Sequence, residues 1–238
     1  MIAVRSWGKA ATVAALLFLG STVLAASFNV SPVSVTLDAG AQSGVLEFSN
    51  TGNERAAIQI TPVDWRQDAE GNDQYTPTES LIAVPPIFEL GPGERQLVRL
   101  GLLNESTPGA ERAFRLFFEE LADETARNGA AVRMRLRIGV PVFVPGAGDG
   151  AGLVLESLEA GPSKTRVRLA NGGDRHVRLL ELAVLDAAGV VLVKLPGGYL
   201  LPGTRREFTF EGDMQTADRL QLRTDRSGVS QYALSPLP

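Results

Sequence analysis

Residues Ala131 to Val144 read A-V-R-M-R-L-R-I-G-V-P-V-F-V. Apolar and polar positions alternate along a run of about 14 residues, where a strand of about 5–6 is usual. Successive side chains of a strand point to opposite sides, so Val132, Met134, Leu136, Ile138 and Val140 share one face while Arg133, Arg135 and Arg137 share the other. At about 3.3 Å per residue the run extends roughly 46 Å, longer than a sandwich of about 100 residues can cover. Part of the apolar face is therefore expected to stay bare. Three interleaved arginines and Pro141, which removes one ladder donor, are how a strand edge is guarded against indiscriminate pairing. Together these features suit an edge that adds a strand to a chosen partner, with backbone hydrogen bonds giving affinity and alternate side chains giving fit.

The rest of the chain keeps the same period of two. Val33, Val35 and Leu37 alternate with Ser34 and Thr36; Ala56, Ile58 and Ile60 alternate with Ala57 and Gln59. Turn signals separate the runs at Asp38-Ala39-Gly40, Asn50-Thr51-Gly52, Glu70-Gly71-Asn72-Asp73 and Gly91-Pro92-Gly93. Glu119 to Arg127 is the best helix candidate and reads better as a charged loop. Pro145 and the alternating glycines from Gly146 to Gly152 form a linker; their spacing does not match a phosphate-cradling loop. Strands resume beyond it, with an Asn171-Gly172-Gly173-Asp174 turn and a hairpin of 179–185 and 190–195 around Asp186-Ala187-Ala188-Gly189. The expected fold class is all-β, two sandwich domains in tandem: residues 26–145, a linker at 146–152, and a smaller domain at 153–238.

At the N-terminus, Arg5 and Lys9 precede an apolar run from Ala10 to Leu19, and Val23-Leu24-Ala25 fits a cleavage site, so residues 1–25 are expected to be a secretory signal peptide. The run is shorter than the about 20 apolar residues that span a bilayer. Removing it leaves 21 basic against 27 acidic residues, a balance that offers nothing to nucleic acid. There are no cysteines, so hydrophobic cores rather than disulfides must hold the exported chain together. His176 is the only histidine, which provides no zinc set, and no G-x-S-x-G accompanies it. We expect no enzyme, no metal and no cofactor. Trp65 is expected in a sandwich core, and Arg99 in an ion pair at a sandwich edge.

Several segments resemble the periplasmic chaperones of chaperone–usher pilus assembly. Val84-Pro85-Pro86-Ile87-Phe88-Glu89-Leu90-Gly91-Pro92-Gly93, continuing to Gln96-Leu97-Val98-Arg99-Leu100, is similar to that family's P-P-x-x-x-L-x-P-G-x-x-x-x-V-R signature. Glu111 to Leu121 sits where the sixth strand runs, and Val132 to Val140 where the donor strand runs. Ser31-Pro32-Val33, Glu111-Arg112-Ala113-Phe114-Arg115 and Pro141-Val142-Phe143-Val144 look most like the archaic branch, which serves spore-coat-U-like subunits. The resemblance implies two immunoglobulin-like domains in an L or boomerang shape, a periplasmic location, and no bond chemistry. It implies that Val132, Met134, Leu136, Ile138 and Val140 fill the groove of a pilus subunit lacking its last strand, and that an outer-membrane usher receives the complex. The better-known branch binds the subunit's terminal carboxylate with two basic residues in the cleft, where this chain has Ser34 and Pro141. Arg112 and Arg115 on the adjacent strand are the candidate replacements, since a guanidinium suits a carboxylate. A free-state dimer that caps the donor edge is left open. The competing reading is an adhesive or structural envelope module with no assembly role.

Overall fold

The computed structural model describes residues 27–37, 42–103, 109, 111–121, 135–148, 150, 152–226 and 228–234. The signal peptide expected at 1–25 lies outside them, as do Val132 and Met134. No helix occurs among the described residues.

The first half is a sandwich of two sheets. One sheet orders β1 (Phe28–Ser31), β3 (Ser43–Asn50), β8 (Arg95–Leu102) and β6 (Leu81–Val84). The other orders β2 (Val35–Thr36), β10 (Arg137–Val144), β9 (Arg112–Glu120), β4 (Ala56–Gln67) and β5 (Asp73–Pro77), with β7 (Ile87–Leu90) also on β4. Leu46, Phe48, Ile58, Leu100, Phe114 and Phe118 meet between the sheets, and Phe48 stacks on Phe118 at 4.9 Å. The period-two pattern across Val33 to Leu37 is broken in space. β1 pairs antiparallel with β3, the chain bends at 32–34, and β2 joins β10 in the opposite sheet, running parallel. Pro32 has no N–H to continue the first ladder, and Val33 is left exposed in the bend.

The second half is a second sandwich with its own core. β11 (Leu153–Ala160), β12 (Lys164–Asn171) and β15 (Arg205–Glu211) face β14 (Val191–Leu200), β13 (Val177–Asp186), β16 (Ala217–Thr224) and β17 (Val229–Ala233). Leu169, Leu182, Phe210, Leu220 and Leu222 are sealed between them. The β13–β14 hairpin forms as expected, with Gly189 at φ +85° in its turn.

The two halves repeat one device. Asn50 and Asn171 end β3 and β12, and each is buried. Asn50 Nδ2 donates to the carbonyls of Glu54 (2.6 Å) and Leu90 (3.1 Å), and its Oδ1 accepts from Gly52 N (3.0 Å). Asn171 Nδ2 donates to Arg175 O (2.7 Å) and Leu200 O (3.0 Å), while Oδ1 accepts from Gly152 N and Gly173 N, both at 3.1 Å. The glycine-rich stretch is thereby packed against the second sandwich. Gly172 N donates to Gly152 O and Asp174 N to Gly150 O, and a Cβ on Gly152 would meet Gly173 N at 2.7 Å. Glycine at 152 serves close backbone approach here, not loose tethering.

Candidate functional site

β10 pairs with β9 along its whole length, from Arg137 opposite Glu119 to Val144 opposite Arg112. Its other edge is covered only near the end, where β2 meets Val142 and Phe143 and Leu37 N donates to Phe143 O at 2.8 Å. Glu120 N donates to Leu136 O (3.1 Å), so residue 136 directs its backbone groups at β9. Alternation then sends the groups of 138, 140 and 142 the same way and those of 137, 139 and 141 to the other edge. No described strand pairs there with Arg137, Gly139 or Pro141. Pro141 is itself buried, so the exposed part of this edge is Arg137 and Gly139, and the missing proline N–H falls on the side away from β9, where no ladder bond is lost.

Cover over the apolar face of β10 fades along the strand. Val140 is 2 % exposed within its own domain's core, so its side chain is not available at this edge. Ile138 is half-buried against that core, and Leu136 is 39 % exposed. The core-facing stripe thus emerges from the sandwich between 140 and 136.

The reverse face of the same sheet looks toward the second domain. From Val63 onward burial on β4 moves to this face, and at Trp65 residues of the second domain cover it. Trp65 is accordingly buried, but not in the sandwich core where the sequence placed it. It belongs to a separate cluster with Ala113, Phe143 and Leu201, packed against Tyr199. Arg115 lies across this floor with its guanidinium 4.2 Å from the Trp65 ring centre. Its Nη1 donates to Tyr75 Oη (2.9 Å) and stands 3.8 Å from Asp73 Oδ2. Its Nε is buried and has no hydrogen-bond partner among the described residues. Tyr75 in turn donates to Asp73 Oδ2 (3.0 Å), and burial pushes its phenol above the ordinary value against the pull of the Arg115 charge. Arg137 covers the Phe117 ring at 3.7 Å and pairs with Glu119 at 2.9 Å.

Arg112 and Arg115 do not converge. Three positions apart on a strand, they project to opposite faces. Arg112 instead lines a cleft of about 340 Å³ with Asp64, Arg66, Glu111, Leu201 and Thr204, its Nη2 3.9 Å from Asp64 Oδ1. Arg99 is exposed on β8 and forms no ion pair among the described residues; Arg95, on the same strand, pairs with Glu47 at 3.3 Å.

Residues to which the sequence assigned no such role fasten the two domains around this floor. Gln67 donates to Tyr199 O (2.8 Å) and to Asp73 Oδ1 (3.0 Å), and its Oε1 accepts from Leu201 N and Thr204 Oγ1, both at 2.9 Å. Asp73 Oδ1 also accepts from Trp65 Nε1 at 2.9 Å. Glu111 Oε1 accepts from the backbone N of His176 (2.8 Å) and meets its Nδ1 at 2.7 Å, while the imidazole stacks on Phe143 at 3.6 Å. The single histidine is a fastener of the seam. Arg115 thus lies on an aromatic floor of the same sheet that carries the open edge of β10. Among the described residues no group of three His, Cys, Asp or Glu could hold a metal.

The family described as pili and flagellar-assembly chaperone, PapD N-terminal domain, matches residues 27–147. No curated protein sequence matches. The fold is that of several solved structures. A chaperone–tip adhesion subunit pre-assembly complex, CsuC–CsuE from the archaic chaperone–usher Csu pili of Acinetobacter baumannii, gives a TM-score of 0.63 at 23 % identity, covering 87 % of this chain and 97 % of that one. The SafB chaperone of Salmonella enterica, in complex with the SafA pilin, gives 0.59 at 17 % identity, covering 87 % and 96 %. The CupB2 chaperone of Pseudomonas aeruginosa gives 0.55 at 18 % identity, covering 87 % and 100 %.

Proposed function

The chain belongs to the pilus-assembly chaperone family of the chaperone–usher pathway, and on that premise we propose that it holds an incomplete pilus subunit by donor-strand complementation at the open edge of β10. The observation that carries this reading is the edge at Arg137 and Gly139, exposed and unpaired among the described residues, next to an apolar stripe that leaves its own core at Leu136. The edge supplies backbone groups for a subunit strand. Leu136, preceded by Met134 and Val132 on the same face, supplies the side chains, with Ile138 at the margin. Each such residue contributes about 1.5–3 kcal/mol when fully buried, so three reach a gross term of about 5–9 kcal/mol before ordering costs.

The seam adds a second contact. Arg115 is the cation we assign to the subunit's terminal carboxylate, since its guanidinium stays partly exposed on this floor, oriented by Tyr75 and Asp73. Arg112, on the opposite face, belongs to the cleft lining and not to this anchor. The solved relatives bound to a pilin or a tip subunit support subunits as the partner class, and the archaic likeness favours short spore-coat-U-like ones. The loaded complex then passes in the periplasm to an outer-membrane usher. The same bare edge would serve a self-capping dimer of the free chain. The adhesive-module reading loses its ground with the family assignment.

The test is co-expression of a subunit with Leu136→Asp, a change at an exposed position that leaves the chaperone folded. Loss of the soluble complex is expected. A complex recovered in undiminished yield contradicts donation by this strand.

A further inference from the structure

β10 carries one residue without a side chain in the middle of its open edge. Gly139 stands opposite Phe117 on β9, and its backbone is in the strand conformation that any residue adopts. The glycine therefore serves no left-handed turn. Its use lies in what a side chain would strike. A Cβ built there meets Arg115 Cδ and Phe117 Cε1 at 3.2 Å each, and Arg115 Cγ at 3.6 Å. The stem of Arg115 occupies the space a residue at 139 would take. That stem leads to a guanidinium resting on Trp65 and tied to Tyr75.

We propose that Gly139 is the positioning residue of the carboxylate site: by leaving its space empty it lets the Arg115 stem pass close to β10 while its guanidinium rests on Trp65 and Tyr75, where the fork can meet a terminal carboxylate. This rests on Arg115 being the anchor. Directional recognition of a carboxylate by a guanidinium depends on the orientation of the planar fork, so displacement of the stem by a few tenths of an ångström is felt at the head. A side chain at 139 lifts the stem without removing any charge. The position thus tunes selectivity for a terminal carboxylate over a neutral end. The ordinary expectation for glycine in a strand is the reverse, since alanine or valine at such a site favours the strand.

The experiment uses the full mature chain labelled with ¹⁵N and follows the Arg115 Nε–Hε resonance, assigned by its disappearance in Arg115→Lys. The probes are N-acetylphenylalanine and its carboxamide. In the wild type the carboxylate is expected to shift the resonance saturably and the amide to leave it in place. Gly139→Ala should move the resonance in the free protein and weaken carboxylate binding about threefold to tenfold, Gly139→Val more, as an imperfectly aligned charge-assisted pair requires. In an Arg115→Ala background, Gly139→Ala should change carboxylate binding no further. If the wild type gives no shift with the carboxylate, the anchor assignment fails and this proposal falls with it. If the wild type responds and Gly139→Ala binds as tightly, the anchor stands and Gly139 is not its positioning residue. Equal weakening toward carboxylate and amide also overturns the proposal, and points to a partner backbone approaching the glycine.

Discussion

Gln67→Ala should loosen the seam between the domains while leaving each sandwich intact. Four hydrogen bonds meet on this one amide, and three of them cross to the second domain, reaching Tyr199 O, Leu201 N and Thr204 Oγ1. Thr204 keeps a second partner in Leu201 O at 2.8 Å, so the groups orphaned by the change are the Tyr199 carbonyl and the Leu201 amide. Leu201 is buried, which limits the water that could replace the lost acceptor. At about 1–3 kcal/mol for each buried group left unsatisfied, the seam loses about 2–4 kcal/mol. The aromatic contacts of Trp65, Phe143 and Tyr199 and the Glu111–His176 pair persist. In calorimetry the first transition should fall by roughly 5–10 °C and separate from the second, the shift expected for a loss of this size in a chain of this length. Small-angle scattering should show a larger radius with an unchanged near-ultraviolet spectrum of each core. A single unshifted transition with an unchanged radius would refute the role given to this amide.

Asn50→Ala and Asn171→Ala should each destabilise their own sandwich by about 1–3 kcal/mol, because each strips the partner from one buried carbonyl, one part-buried carbonyl and at least one turn amide; urea titration should show two domains responding independently. Gly152→Ala should cost about 1–3 kcal/mol through overpacking against the Gly173 backbone, and melting equal to wild type would return the glycine-rich stretch to the status of a loose tether. Burial raises the phenols of Tyr75 and Tyr199 above their value in the unfolded chain. The native state therefore holds protons that the unfolded state releases near pH 10, so unfolding free energy should be level below that pH and fall above it. Replacing both tyrosines by phenylalanine should flatten the alkaline fall, and an unchanged fall would place its cause elsewhere.

Strands, turns and the division into two sandwiches were legible because period-two alternation and Asn-Gly punctuation are local properties. What was not legible depends on which face a second body covers. Trp65 has the look of a core tryptophan, and β4 alone cannot show that its buried side changes after Pro62 and that the second domain covers it at Trp65. Arg112 and Arg115 look like a pair along the chain, yet strand parity separates them; their spacing of three already contained that result. Gln67, Asp73 and Glu111 are ordinary exposed-type residues in the sequence, and their roles arise from partners more than 60 residues distant or across a hairpin. Val140 satisfies the donor pattern as well as Leu136 does. Only the end of the sandwich, fixed by the partner sheet, decides where that stripe stops being core.

The central claim is that β10 offers one free backbone edge. It is tested most directly by amide hydrogen exchange of the chaperone alone and with a bound subunit. The account predicts that the amides of Arg137 and Gly139 exchange freely in the free chain and become strongly protected in the complex, while Ile138 and Val140 are protected in both. Arg137 and Gly139 amides that stay unprotected in a stable complex would contradict it.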